Sequence, residues 1–417
     1  RTFSSLKVRN YRLYFIGQAI SLCGTWMQGV AMGLLVLRLT HSGTVLGLVV
    51  ALQFAPVLFL APYGGLLAGR FSKRKLLFVT QSAAGLLALI LGVLVLTGTV
   101  QLWMIFVLAL GLGVVNAVDN PVRQTFVHEL VGHTLLGNAV TLNSIIVNLS
   151  RVVGPALAGV VAAQFGLAPC FIINGLSFGA VLACLGMMRD GELLRAKRVP
   201  PEKGQLREGF AYAWKTPIVR DVLIMMALVG TLSYEFMVSL PLLATITFHA
   251  SEAVVDGEVA LLMAVMGLGA VVGGLLAAGR RTGAMRSLAI GAFGFGIAML
   301  LVAGAPTLLW AAVGMGVVGY FSVTFTALTN TILQTMSAPR MRGRVMALWA
   351  MAFMGTTVIG GPIIGWVGQN TGPRWALVVG AIASLGAGVL GLKSVRAGSM
   401  EASHRMAAAA VPVEEPV

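Results

Sequence analysis

The feature that most constrains this chain is a series of apolar runs that follow one another almost without interruption. Residues 76–97, LLFVTQSAAGLLALILGVLVLT, carry no charge and are long enough for a helix to cross the hydrocarbon of a bilayer, which takes about 20 residues. Twelve such spans are expected: 13–37, 44–69, 76–97, 102–118, 138–163, 167–188, 222–248, 259–279, 287–303, 307–335, 345–367 and 374–392. Composition agrees. Charged residues are 10% of the 417, against about 25% in soluble proteins, and mean hydropathy is +0.91. A β-barrel would show short alternating segments, and none dominates. The expected fold class is an all-α polytopic membrane protein.

The net charge of +15 is distributed by side rather than along a nucleic-acid face. With the N-terminus in the cytoplasm, Arg38 and Arg374 fall outside, Arg151 falls within a span, and every other Lys and Arg falls inside. That asymmetry is the positive-inside rule. It puts both termini in the cytoplasm, the protein in the cytoplasmic (inner) membrane, and nucleic acid off the list of partners. Cys23, Cys170 and Cys184 show no CxxC spacing and predict no disulfide framework. The chain opens without methionine and is expected to be trimmed; its first apolar run is too long for a signal-peptide core.

The pattern is written twice. GGLLA at 64–68 returns at 273–277, each time running into cations, Arg70, Lys73, Arg74 and Lys75 in the first copy and Arg280 and Arg281 in the second. RVVGPALAG at 151–159 is matched by VIGGPIIG at 358–365, GLGVV at 111–115 by GMGVVG at 314–319, and Asn120 and Gln124 by Asn330 and Gln334. Four matches in chain order at nearly constant offset indicate a duplicated six-span unit, and even-numbered units give parallel repeats about an axis along the membrane normal. The expected organisation is an N-terminal bundle 1–188, a cytoplasmic linker 189–221, a C-terminal bundle 222–392 and a cytoplasmic tail 393–417. Within the linker, roughly 203–216 reads as an amphipathic surface helix with Leu206, Phe210 and Trp214 on one side.

Five stretches carry a family resemblance: LKVRNYRLYFIGQAISLCGTWMQ at the start, the loop between spans 2 and 3, DNPVRQTFVHELV at 119–131, LNSIIVNLSRVVGPALAG at 142–159 and RMRGRVMA at 340–347. Over about residues 5 to 395 the chain resembles the major facilitator superfamily, most closely the branch with bacterial siderophore exporters and multidrug efflux pumps. The resemblance implies twelve helices in two parallel-related six-helix bundles and transport by alternating access. It also implies a cytoplasmic latch in the 2–3 loop. Gly65, Leu67, Ala68, Arg70, Lys73 and Arg74 fit that motif, whereas Gly69 stands where the family has an aspartate and Ser72 where it has a glycine. Without the aspartate, Arg70 is expected to seek Asp119 or a helix C-terminus, and the cytoplasmic side to open more readily. GPALAG, with Gly154 and Pro155, is similar to a fifth-span motif of exporters that exchange substrate for protons; Gly361 and Pro362 are its counterparts in the second half. DNPVRQ, with Asp119 and Arg123, corresponds to an intracellular gate.

Only Arg151 and Glu235 are charged deep within expected spans, at similar depth and with opposite sign. Intramembrane charges are costly, usually paired and usually functional. A mutual pair is therefore expected, with Glu235 as a proton-coupling site; the alternatives are a static interhelical bond, or a bond from Glu235 to Tyr234 or a carbonyl. Asp119 and Arg123, at i and i+4, also read as a local surface ion pair. Trp26, Gln28, Asn143, Asn148, Tyr234 and Asn330 are the candidates to face a mostly apolar central cavity. The five histidines have no ligand spacing, and no Walker loop, nucleophile elbow or carboxylate dyad occurs, so neither an enzyme nor a metal or other cofactor is expected. GMGVVG lies inside an apolar span with no strand before it and is not a dinucleotide site. The expected function is proton-coupled export of a hydrophobic or amphipathic, drug-like small molecule by a monomer in contact with membrane lipids. Alternatives are a dedicated siderophore or natural-product exporter, and a lipid flippase.

Overall fold

The computed structural model describes residues 3–194, 205–247, 252–278, 285–338 and 340–409. Arg280, Arg281 and residues 195–204 of the linker lie outside the described residues, as do the surroundings of Gly65 and Gly69 and the side chain of Leu206. Helix is the expected answer to a chain this apolar, because in hydrocarbon every backbone N–H and C=O must be satisfied within the segment. Spans 1 to 6 are Arg9–Thr40, Gly43–Leu60 (in a helix running on to Arg70), Lys73–Leu96, Leu102–Gly132, Thr134–Phe165 and Ala168–Gly186. Spans 7 to 12 are Pro217–Thr247, Val255–Leu276, Met285–Ala303, Leu308–Met336, Arg342–Asn370 and Pro373–Arg396.

Several ends differ from the sequence expectation, and in span 4 charge is the reason. Span 4 was expected to stop at residue 118, before Asp119, yet it continues to Gly132 because Asp119, Arg123 and Glu129 are each neutralised inside the bundle. It ends where Gly132 takes φ +66°, a left-handed conformation that costs glycine nothing, and span 5 begins two residues on. Span 7 starts at Pro217, inside the expected linker, and the last helix extends to Ala409, into the expected tail.

Spans 1 to 6 and 7 to 12 form two bundles. The ends of the spans near the 2–3 loop, the linker and the tail make the basic face; the other ends make the opposite face. Toward the basic face the first bundle has its own core, built on Tyr11, Tyr14, Leu77, Phe126, Leu130 and Leu142. The linker helix Gln205–Lys215 is docked on the second bundle: Glu208 meets Arg344 at 2.5 Å, and the Tyr212 hydroxyl accepts from the Ala338 amide at 3.0 Å. Phe210 and Trp214 stack on each other and stay exposed, as an amphipathic surface helix requires.

Two helices are interrupted. Span 7 leaves helical geometry at Ser233–Glu235, where the Ser233 hydroxyl bonds the Gly380 carbonyl at 2.7 Å and pairs with Ser384 on span 12. It resumes at Phe236 and widens into a π turn, Leu243–Thr247. Span 11 carries a second π turn, Met351–Gly355, one turn before the GGP sequence at 360–362. Such interruptions concentrate at functional sites.

Candidate transport site and the contacts between bundles

The two bundles meet on the opposite-face side. Span 2 and span 11 approach backbone to backbone: a Cβ placed on Gly47 would lie 2.1 Å from the Gly361 carbonyl oxygen, and one on Gly365 would lie 2.1 Å from that of Gly43. Small residues allow this, and close packing is a main source of helix attraction where lipid removes the hydrophobic drive. Beyond the glycines, Gln369 accepts from the Ser42 hydroxyl at 2.8 Å and the Thr44 hydroxyl at 2.9 Å. Between spans 1 and 8, Arg38 donates to both carboxylate oxygens of Asp256 at 2.7 Å, with Asp256 almost fully buried. The sequence reading left Asp256 in a loop. Its signal was Arg38, one of only two cations expected on that side.

At the basic face the ion pairs seen among the described residues stay within one bundle. Lys73 pairs with Glu129, Arg74 with Asp190 at 2.7 Å, and Arg344 with Glu208. Arg74 also caps span 6, donating to the carbonyls of Leu185 and Gly186. The 2–3 loop cations therefore tie the first bundle to itself, and the expected reach of Arg70 to Asp119 does not occur: Arg70 is exposed, and Asp119 is taken. Asp119 and Arg123 are not a surface pair either. Asp119 is 1% exposed and accepts from Thr80 at 2.6 Å, Gln81 at 2.8 Å and Arg123, which in turn donates to Gln18 at 2.9 Å. The i, i+4 spacing was legible in the sequence; the Thr80 and Gln81 donors on span 3 and the Gln18 acceptor on span 1 were not.

The expected Arg151–Glu235 pair does not form. Both residues fall near the middle of their spans, but position along a helix says nothing about the direction a side chain takes around the axis. Glu235 sits in the break of span 7 and turns toward span 11. A Cβ on Gly360 would lie 2.9 Å from its Oε1, and one on Gly361 would lie 3.6 Å from its Oε2. Thr357 is the hydroxyl beside it, and Oε1 is buried with no hydrogen-bond partner. Gly361 thus touches Glu235 on one side and Gly47, in the other bundle, on the other. Gly360 is packed still harder, its hypothetical Cβ falling 1.7 Å from the Thr231 carbonyl oxygen.

Arg151 turns toward span 1, where its guanidinium lies over the Trp26 ring, 5.2 Å from the centroid. Gly154 makes room, since a Cβ there would lie 2.4 Å from that of Trp26. Pro155 is buried in a helix that runs through it without a break. Across the interface Tyr234 is within electrostatic range of Arg151, donates to the Ser322 carbonyl at 2.5 Å, and stands edge-on to Phe295 and Phe353. Phe353 stacks on Trp349, completing an aromatic wall that the sequence reading missed, because aromatic residues in an apolar span look like core.

Of the remaining cavity candidates, Asn148 is half-buried and bonds the Ser144 carbonyl, Asn143 is half-buried, and Asn330 accepts from Gln334 at 2.5 Å. Gln28 is a correction: it is buried inside the first bundle, accepting from Asn174 at 2.6 Å, because an amide at that depth is satisfied by its neighbour on span 6. Among the described residues no His, Cys, Asp and Glu cluster fits a metal ion.

A family profile described as transmembrane secretion effector matches residues 1–416. The chain belongs to that family, within the major facilitator superfamily. It is similar to the enterobactin exporter EntS of Citrobacter koseri, 26% identical over 379 residues that cover 87% of this chain and 86% of that one. It is also similar to the staphyloferrin A transporter of Staphylococcus aureus, 31% identical over 176 residues, 42% of this chain and 44% of that one. Among solved structures, a bacterial homolog of the human lysosomal transporter Spinster, in an inward-facing and occupied conformation, aligns with a TM-score of 0.74 at 13% identity over 93% of this chain and 96% of that one. The D-xylose–proton symporter aligns at 0.67 and 14% over 94% and 97%. The fold is the major facilitator fold, and this protein is a membrane-spanning transporter.

Proposed function

We propose that this transporter exports a siderophore-type small molecule from the cytoplasm in exchange for protons. The observation that carries this reading is the match to EntS along nearly the whole chain. It favours a dedicated siderophore exporter over the drug-like substrate that composition alone suggested. The bundles are joined by close contacts at the opposite face, and in this reading the basic face, termini included, is the cytoplasmic one, by the positive-inside rule. In this reading the chain works as a monomer surrounded by lipid, its two bundles (spans 1 to 6 and 7 to 12) rocking about the site between them.

Glu235 is the proposed proton site. Its carboxylate is buried beside Gly361, which is also part of the contact with span 2, so a change in its charge acts directly on the joint between bundles. A multidrug role is the second reading, favoured by the aromatic wall of Tyr234, Phe353 and Trp349. A flippase is not favoured. The groove of about 390 Å³ on the outer side of spans 8 and 10, lined by Val265, Leu268, Val272, Val313 and Val317, offers almost no polar surface to a headgroup.

Transport into inverted vesicles under an imposed pH gradient tests this, with enterobactin, staphyloferrin A and lipophilic dyes as substrates. Accumulation of a siderophore that collapses with the gradient is expected. Accumulation of dyes alone would overturn the siderophore reading in favour of the multidrug one.

A further inference from the structure

Arg151 poses a physical problem. It lies near the middle of Thr134–Phe165, its Nε is buried with no hydrogen-bond partner, and no carboxylate stands within ion-pair distance among the described residues. A cation left without a counter-charge in the hydrocarbon is among the more expensive arrangements a protein keeps. The surroundings hold it in place instead of removing it. Trp26 receives the guanidinium on its ring face, Gly154 admits Trp26, and span 8 presses on the backbone, a Cβ on Gly267 falling 3.0 Å from the Arg151 carbonyl oxygen.

A polar route leads to it. Thr141, Ser144 and Asn148 precede Arg151 at three- and four-residue spacing, so the four side chains form one stripe running in from the basic face, and Thr141 and Ser144 are exposed. Polar groups exposed along a membrane span are expected to border water rather than lipid. On the second bundle Tyr234 is within electrostatic range of the cation and begins an aromatic row that continues through Phe353 to Trp349. The joined features are one unpaired cation, a π face beside it, a polar approach and an aromatic row on the second bundle that begins at Tyr234.

We infer that Arg151 and Trp26 form an anion subsite, which takes an acidic oxygen group carried on an aromatic ring: the oxygen meets the guanidinium and the ring lies between Trp26 and the wall of the second bundle. The ligand supplies the counter-charge that the protein withholds. Arg151 is then a specificity residue and not the partner of Glu235. This inference rests on the export reading for its site but predicts a binding preference that transport assays do not measure.

The test is calorimetric binding of 1-naphthoate and its neutral isostere 1-naphthamide to the purified full chain in lipid nanodiscs. The wild type is expected to bind the carboxylate about tenfold or more tightly than the amide, the scale of a charge-assisted hydrogen bond. Arg151→Gln should bring the two affinities together, Arg151→Lys should keep most of the preference, and Trp26→Leu should weaken both ligands alike. The lysine variant guards against misfolding, since it retains the charge. An unchanged preference in Arg151→Gln, or no binding of 1-naphthoate to the wild type, overturns the subsite. Loss of the subsite with siderophore transport intact leaves the export reading standing; the preference without any transport does the reverse.

Discussion

At the opposite face the two bundles touch backbone to backbone, whereas at the basic face each bundle is bound to itself. The first contact uses glycine pairs, Gly47 with Gly361 and Gly43 with Gly365, then Gln369 and the Arg38–Asp256 pair. The second uses charge, but Lys73–Glu129, Arg74–Asp190 and Asp119–Arg123 never leave the first bundle. The difference separates two jobs that charge can do in a transporter. Inside a bundle it makes a rigid body; between bundles it makes a contact that must break in each cycle. An alternating-access machine needs both, and here they are on different faces.

The comparison is broken most severely within the rigid body. Asp119→Ala strips the acceptor from Thr80, Gln81 and Arg123 and leaves a half-buried cation without its counter-charge, which costs about 3 kcal/mol. A large fall in the melting temperature of the purified protein is expected, with no selective opening of either face. Next comes Gly47→Ala. A Cβ 2.1 Å from the Gly361 carbonyl oxygen cannot be relieved by a side-chain rotation, so the spans must part, at a cost of about 1–3 kcal/mol. Cysteines placed near the span 2–span 11 contact should become reactive toward a water-soluble maleimide, with stability nearly unchanged. Arg38→Ala takes the two charge-assisted hydrogen bonds of Arg38 away from buried Asp256 and weakens the same seal by about 2 kcal/mol, roughly thirtyfold in population. The smallest effect is Gln369→Ala, which removes neutral hydrogen bonds at an exposed rim and is worth about 1 kcal/mol. Equal maleimide reactivity in Arg38→Ala and wild type would mean the ion pair is ornamental to the seal.

The sequence disclosed the rigid bodies far better than the contacts between them. Apolar run length gave all twelve spans, and the repeat of GGLLA, GPALAG and VIGGPIIG gave two bundles. Arg151 and Glu235 could be placed near the middle of their spans, whereas Asp119 was expected beyond the end of span 4 and lies within it. Direction around the axis was not. Glu235 faces Gly360 because the helix breaks at 233–235, and no propensity marks that break; Ser233 accomplishes it through a carbonyl and a serine on span 12. Asp256 was hidden because its partner Arg38 is 218 residues away. VIGGPIIG was noticed as a repeat, and its use as the surface shared by Glu235 and Gly47 appeared only in three dimensions.

The most direct test of the account measures both faces at once. Spin labels at Phe71 and Met336 report the basic face, and labels at Thr97 and Thr371 report the opposite face; all four positions are exposed. Without substrate the account predicts a long distance across the basic face and a short one across the opposite face. It predicts that changing pH redistributes both in the wild type and leaves them fixed in Glu235→Gln. A short basic-face distance in the resting protein, or a Glu235→Gln variant that follows pH as the wild type does, would contradict it.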